Sequence, residues 1–211
     1  MSAEKAEVRN MEMAKIGFLL LSGGKSSRMG MPKALLEIDG KTLLETVAKA
    51  GGDFEERILS VNDPSIPAPE GFVRCADVYP DCGPMAGIHA ALATSDCDAL
   101  VTAPCDAPHY SKALAQYLLS RFEPGLDALV LVDETGRAQP LTGVYSKSCL
   151  PVLEQHLKTN RLKIMRMLEE MRLKKVALPE YLDGRVFENL NTPEDMAAFS
   201  RKDVAEEAGK A

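Results

Sequence analysis

Three glycines and three cations crowd one short stretch of this 211-residue chain, Leu21-Ser22-Gly23-Gly24-Lys25-Ser26-Ser27-Arg28-Met29-Gly30-Met31-Pro32-Lys33. No carboxylate occurs from Lys15 to Leu36, although the chain as a whole carries a formal net charge of −6. Glycine lets the backbone approach a ligand closely, and backbone N–H groups with Arg and Lys side chains are the usual donors to phosphate oxygens. The stretch therefore predicts a broad turn that wraps a polyphosphate. Arg28 can grip phosphate oxygens with its planar fork, and Lys33, a compact charge on a long stem, suits a leaving pyrophosphate. The competing reading of the loop alone is a solvated glycine turn with surface cations. Two better-known phosphate motifs are excluded. Gly24-Lys25-Ser26 spells the end of a Walker A loop, but that motif needs a glycine at position 19, where leucine stands. The pattern G-x-G-x-x-G fails because Gly23 and Gly24 are adjacent.

A second candidate is Asp106, which follows the largely apolar run Asp98 to Pro104 and so sits where the chain must turn. Magnesium is commonly held by one or two carboxylates plus substrate phosphates and water, which makes Asp106 the candidate metal ligand and catalytic residue. Its alternative is an aspartate that organises a turn before Pro108. Asn62 ends another apolar run, and Asp77 precedes Gly83-Pro84-Met85-Ala86-Gly87. Glycines at a helix start permit close approach to a flat ligand, and proline suits the first helical position. His89, His109 and His156 show no metal-ligand spacing.

These residues can meet only if the elements between them bring them to one place. Apolar runs predict strands at Ile16–Leu21, Arg57–Val61, Phe72–Cys75 and Asp98–Thr102. Helical spacing predicts helices over Thr42–Ala50, Pro84–Ala93 and Ser111–Arg121, the last capped by Ser111. Such alternation predicts a three-layer α/β/α domain on a mainly parallel, Rossmann-like sheet. Ligands then gather outside the carboxyl ends of the strands, where the candidate residues stand. Further on, Ala128–Val132 and Leu141–Tyr145 flank the turn Asp133-Glu134-Thr135-Gly136 and predict an antiparallel pair. Helices are predicted over Leu150–Leu157 and Leu162–Met171.

Leu-x-Gly-Gly-x-Ser-x-Arg-Met-Gly-x-x-Lys, here Leu21 to Lys33, resembles the signature of the molybdenum cofactor nucleotidyltransferases, and Gly24 is similar to the guanylyltransferase branch. Ser22 replaces the usual alanine, one small residue for another. Pro104-Cys105-Asp106-x-Pro108 resembles the family's metal-binding segment, Gly83 to Gly87 its Gly-Pro-x-x-Gly element. The resemblance spans about residues 16 to 200 and implies a fold of the nucleotide-diphospho-sugar transferase type. It implies a GTP site made from Leu21, Ser22, Gly23, Gly24, Lys33, Asn62, Asp77, Gly83 and Asp106, with Asp81 as the alternative to Asp77. It places Mg²⁺ on Asp106 and charge stabilisation on Arg28 and Lys33. Molybdopterin is expected against Gln139, Pro140 and Tyr145 and against Asn189 and Asn191. The implied reaction is transfer of GMP from GTP to the terminal phosphate of molybdopterin, with pyrophosphate released. A relative using CTP, or a sugar or isoprenoid phosphate, remains open, as does a non-catalytic GTP-binding carrier of the cofactor. Cofactor-biosynthesis proteins and molybdoenzyme chaperones are further expected partners.

Composition narrows the classes. With 45% hydrophobic and 27% charged residues the chain reads as an ordinary soluble globular protein. Its acidic balance argues against a general nucleic-acid binder. Five cysteines without C-x-x-C spacing predict free thiols rather than a disulfide framework or a zinc site. No signal peptide or membrane-spanning run is expected, so the cytoplasm is the expected compartment. Residues 1–14 are expected to be a flexible extension, 15–200 one nucleotidyltransferase domain, and 201–211 a flexible tail.

Overall fold

The computed structural model describes residues 15–23, 32–38, 40–190 and 195. The two predicted flexible ends, Gly24, Arg28 and Asn191 lie outside the described residues. The strands are β1 (Ile16–Leu21), β2 (Glu37–Ile38), β3 (Lys41–Thr42), β4 (Arg57–Ser60), β5 (Val73–Cys75), β6 (Ala99–Pro104), β7 (Ala128–Val132), β8 (Ala138–Ser146) and β9 (Leu173–Ala177). The helices are α1 (Leu43–Ala48), α2 (Pro84–Thr94), α3 (Lys112–Arg121), α4 (Leu150–Lys158) and α5 (Ile164–Leu168). Seven strands form one sheet in the order β5-β4-β1-β6-β8-β7-β9, and β2 pairs with β3 as a separate small ribbon.

Within the main sheet β8 runs antiparallel to both β6 and β7, and the remaining pairings are parallel. The centre is β1, flanked by β4 and β6, with Leu21 opposite Ser60 on one side and Pro104 on the other. Side chains alternate between two cores, as the period of a strand requires. Phe18 and Leu20 join Leu59, Val101 and Leu129 beneath α1 and α3. Leu19 and Leu21 join Ile58, Leu100 and Val130 beneath α2, α4 and α5. A strand covered on both faces can be apolar throughout, which is why Ile16–Leu21 reads as a continuous apolar run.

Local signals set the helix starts. Thr42 Oγ1 accepts from the Glu45 N–H at 3.1 Å while Glu45 Oε2 accepts from the Thr42 N–H at 2.8 Å, a reciprocal capping box. Ser111 Oγ accepts from the Leu114 N–H at 3.2 Å, and Pro84 opens α2. The Asp133–Gly136 turn forms as expected, with Gly136 at φ +79° and its N–H on the Asp133 carbonyl at 2.9 Å.

Several features differ from expectation, among them the longer β8 and the β2–β3 ribbon. β6 continues beyond Thr102 to Pro104, because β1 offers partners as far as Leu21. The helix expected over Leu162–Met171 is only Ile164–Leu168. Leu162, which precedes the helix, and Met165 are 37% and 38% exposed, while Leu168 is buried. The edge strand β9 was hidden in Leu173-Lys174-Lys175-Val176-Ala177, where only Val176 is buried.

Candidate active site

Because β1, β4 and β6 are parallel neighbours, the segments that leave them emerge on one edge of the sheet. Main-chain bonds extend the pairing past the strand ends. The Ser22 N–H donates to the Ser60 carbonyl at 2.9 Å, and the Cys105 N–H donates to the Leu21 carbonyl at 3.0 Å. These bonds fix Ser22, Asn62 and Asp106 around a cleft of about 820 Å³. Leu21, Ser22, Gly23, Lys33, Asn62, Asp77, Gly83 and Asp106 all line it. The structure therefore gathers every described residue of the expected GTP set.

Asp106 forms part of the wall nearest Lys33. Burial pushes its carboxyl above the ordinary 3.8, and the Lys33 ammonium opposes that rise. Its main-chain carbonyl accepts from the Leu190 N–H at 2.9 Å, which draws the Asn189 segment to the strand end. Asn189 itself is exposed beside that link. Lys33 begins a short 3₁₀ turn, Lys33–Leu35, entered through Pro32 in extended conformation. The neighbouring Cys105 thiol is pushed up to about 12, mainly by burial and then by the Asp106 charge. A thiol so placed is protonated at neutral pH and is not a nucleophile.

The opposite wall is built from polar pairing. Asn62 Nδ2 donates to Asp77 Oδ2 at 2.7 Å, and the Asp77 N–H donates to Asn62 Oδ1 at 2.8 Å. This two-way clamp holds Asp77 at the cleft. Burial pushes the Asp77 carboxyl up, and the Asn62 amide opposes it. Asp81, the alternative to Asp77, lines the same cleft and sits at φ +61°. Gly83 at φ +68° caps α2 in a region that disfavours side chains, and open space surrounds the position its Cβ would take. Gly87 also lines the cleft, and it is closely packed: a Cβ there would lie 2.3 Å from Ser60 Oγ.

The residues expected on the acceptor side divide. The partners Thr102 and Gly143 place Gln139–Leu141 beyond the end of β6, on the Asp106 side of the sheet. The β7 pairing skips from Gly143 to Gln139, so Pro140 to Thr142 form an irregularity in the strand. Gln139 Nε2 donates to Asp133 Oδ2 at 3.1 Å, tying it to the preceding turn. Tyr145 is fully buried, and its hydroxyl donates to the Pro140 carbonyl at 2.6 Å. Of the acceptor-side segment Gln139–Tyr145 only Leu141 lines the cleft; Gln139, Pro140 and Tyr145 do not, and neither does Asn189. Ser60, Asp63 and Leu141, which were not among the assigned site residues, also line the cleft. Ser60 is a polar residue inside the run Ile58 to Val61, which was a signal available in the sequence.

Asp106 offers a hard oxygen donor in a desolvated wall. Among the described residues no group of three or more His, Cys, Asp or Glu side chains could hold a metal. A cation on Asp106 would therefore be completed by substrate phosphates and water, the manner in which Mg²⁺ is usually bound. The residues present fit that ion. The cysteines are all free, and no helix of the described residues is long and apolar enough to cross a membrane.

Comparisons with known proteins agree with this fold. The MobA-like NTP transferase domain family matches residues 18–176. A probable molybdenum cofactor guanylyltransferase of Clostridium perfringens (strain SM101 / Type A) is 32% identical over 198 residues, covering 90% of this chain and 98% of that protein. The molybdenum cofactor guanylyltransferase of Vibrio atlanticus (strain LGP32) is 31% identical, with 86% and 94% covered. The crystal structure of molybdopterin-guanine dinucleotide biosynthesis protein A from Archaeoglobus fulgidus superposes with a TM-score of 0.75 at 26% identity, covering 90% of this chain and 99% of that one.

Proposed function

We infer the reaction from membership: this chain belongs to the MobA-like NTP transferase domain family. It is a molybdenum cofactor guanylyltransferase that joins GMP from GTP to the terminal phosphate of molybdopterin and releases pyrophosphate. The observation that carries the reading is the meeting of Ser22, Lys33, Asp106 and the Asn62–Asp77 clamp around one cleft. The guanylyltransferases from Clostridium perfringens and Vibrio atlanticus give the base and the acceptor.

In this reaction a molybdopterin phosphate oxygen attacks the α-phosphorus of GTP, one P–O bond forms, and the bond to the departing pyrophosphate breaks. No protein nucleophile is required, consistent with the protonated state of Cys105. The chain's own work is alignment and charge stabilisation. Main-chain groups of Leu21 to Gly24 wrap the triphosphate, and Lys33 with Arg28 offsets charge on the leaving group. Asn62, Asp77 and Gly83 hold the nucleoside. Gln139, Pro140, Asn189 and Asn191 form the molybdopterin side, with Tyr145 acting through Pro140. Asp106 would hold a divalent cation, which we assign as Mg²⁺ and which, when bound, neutralises phosphate oxygens. The free thiols suit a cytoplasmic enzyme, and chaperones of the receiving molybdoenzymes are natural further partners.

The test is product identity. Purified protein is incubated with molybdopterin, Mg²⁺ and each nucleoside triphosphate, followed by mass spectrometry of the product and measurement of pyrophosphate. The expected result is a guanine dinucleotide from GTP. Turnover with CTP and none with GTP would overturn the base assignment, and tight GTP binding without product would make the protein a carrier.

A further inference from the structure

The loop between β5 and α2 carries two sets of side chains that point opposite ways. Asp77, Asp81 and Gly83 line the cleft. Tyr79 and Cys82, interleaved with them, pack against the core beneath α2 and α4. The Tyr79 ring stands edge-on to His89 of α2, with centroids 5.3 Å apart and planes at 75°. Its hydroxyl reaches Glu154 Oε1 of α4 at 3.4 Å, and Glu154 in turn pairs with Lys158 at 2.9 Å. The loop has no ladder of its own in that interval. It leaves the sheet at Cys75, is pinned at Asp77 by Asn62, and turns through positive φ at Asp81 and Gly83 before entering the helix. Between the Asn62 clamp and the start of α2, Tyr79 is the large side chain that grips the interior.

From this geometry we infer that Tyr79 is a positioning residue for the nucleotide. Its ring, seated on His89 across the seam between α2 and α4, holds the Asp77–Gly83 wall at the depth the nucleoside requires. The inference rests on the reading of this cleft as the GTP site. The long contact to Glu154 is the weaker part of the anchor, since a hydrogen bond at 3.4 Å lies at the limit of useful geometry. The ring contact is the stronger part, because an edge-to-face pair adds directional attraction to the area it buries. Loss of the ring lets the wall drift without touching Asp106 or Lys33, so it weakens nucleotide binding and spares the chemical step.

The experiment compares wild type with Tyr79→Phe, Tyr79→Leu and Tyr79→Ala. Calorimetry gives the Kd for GTP, pyrophosphate release with molybdopterin gives KM and kcat, and melting curves monitor the fold. Tyr79→Ala is expected to raise Kd and KM for GTP by about tenfold with kcat changed by less than about threefold. Tyr79→Phe, which keeps the ring on His89, should restore wild-type values within about twofold, and Tyr79→Leu should fall between. A variant with lower melting temperature but unchanged Kd and KM would make Tyr79 merely structural and overturn the inference. Equal loss in Tyr79→Phe and Tyr79→Ala would also overturn the role of the ring. Tyr79→Leu, which keeps an apolar side chain, decides the matter should the alanine variant not fold. If wild type binds GTP without turnover, the reaction fails, while the Kd series still decides the place of Tyr79.

Discussion

Replacing Asp106 by asparagine removes a charge from the cleft and leaves the shape almost unaltered. The bond from the Leu190 N–H to the main-chain carbonyl of residue 106 is untouched, so the Asn189 segment stays docked. What disappears is a carboxylate in a desolvated wall near Lys33. Loss of one preorganised electrostatic group in a water-poor site typically costs about 2.7–4 kcal/mol of transition-state stabilisation, or roughly 10²–10³ in kcat. Stability should move the other way. Burial raises the folded carboxyl above 3.8, so its contribution to stability is full below that ordinary value and is lost as pH rises through the raised one. At neutral pH the ionised group is a net cost to the empty protein. Asp106→Asn is therefore expected to melt higher than wild type at pH 7. Pyrophosphate release at saturating GTP, molybdopterin and Mg²⁺ measures the first effect, and melting curves of the metal-free, nucleotide-free protein measure the second. A variant within threefold of wild-type kcat would remove Asp106 from the chemical step, and a lower melting temperature would contradict the cost of its buried charge.

Other perturbations separate the walls of the site from its support. Asn62→Ala opens the two-way clamp on Asp77 and should raise KM for GTP about tenfold with little change in kcat, as steady-state kinetics would show. Gly87→Ala drives a methyl group into Ser60 Oγ and should destabilise the fold by about 1–3 kcal/mol, read by urea unfolding. Adding Ser60→Ala should recover much of that loss, and strict additivity would contradict the clash. Asp127, buried behind the sheet edge, accepts from Arg172 Nη2 at 2.7 Å, from Arg172 Nε at 3.1 Å and from the Arg172 N–H at 2.9 Å. Arg172 and Ser148 hold its carboxyl well below the usual carboxylate range. Asp127→Asn should lower Tm by roughly 5 °C at pH 7 while leaving kcat unchanged. The stability it supplies is present above the ordinary 3.8 and lost as pH falls toward its depressed value, so acid unfolding should be shallower in the variant.

Much of this architecture is legible in the chain because its signals are local. Ile16–Leu21 and Ala128–Val132 were delimited by their apolar runs, and Ser111 by its place before a helical pattern. Asn62, Asp77, Gly83 and Asp106 were detectable as polar or glycine residues where such runs end, and a parallel sheet necessarily brings those ends to one edge. What escaped depends on distant partners. β9 is a strand through its pairing with β7, and its two lysines mask any apolar alternation. The Leu190–Asp106 bond joins residues whose neighbourhood no local pattern reveals. Tyr145 has the type and position of a ligand contact, yet its burial is set by the helices above it and its hydroxyl is spent on Pro140. Tyr79 belongs to no motif. Its importance appears only once α2 and α4 lie side by side.

The most direct test of the whole account is a crystal structure of the protein with GTP and Mg²⁺. The triphosphate is expected along Leu21–Lys33, the metal on Asp106, and the guanosine against the Asn62–Asp77 clamp and Gly83. A metal bound away from Asp106, or a nucleotide seated outside this cleft, would contradict it.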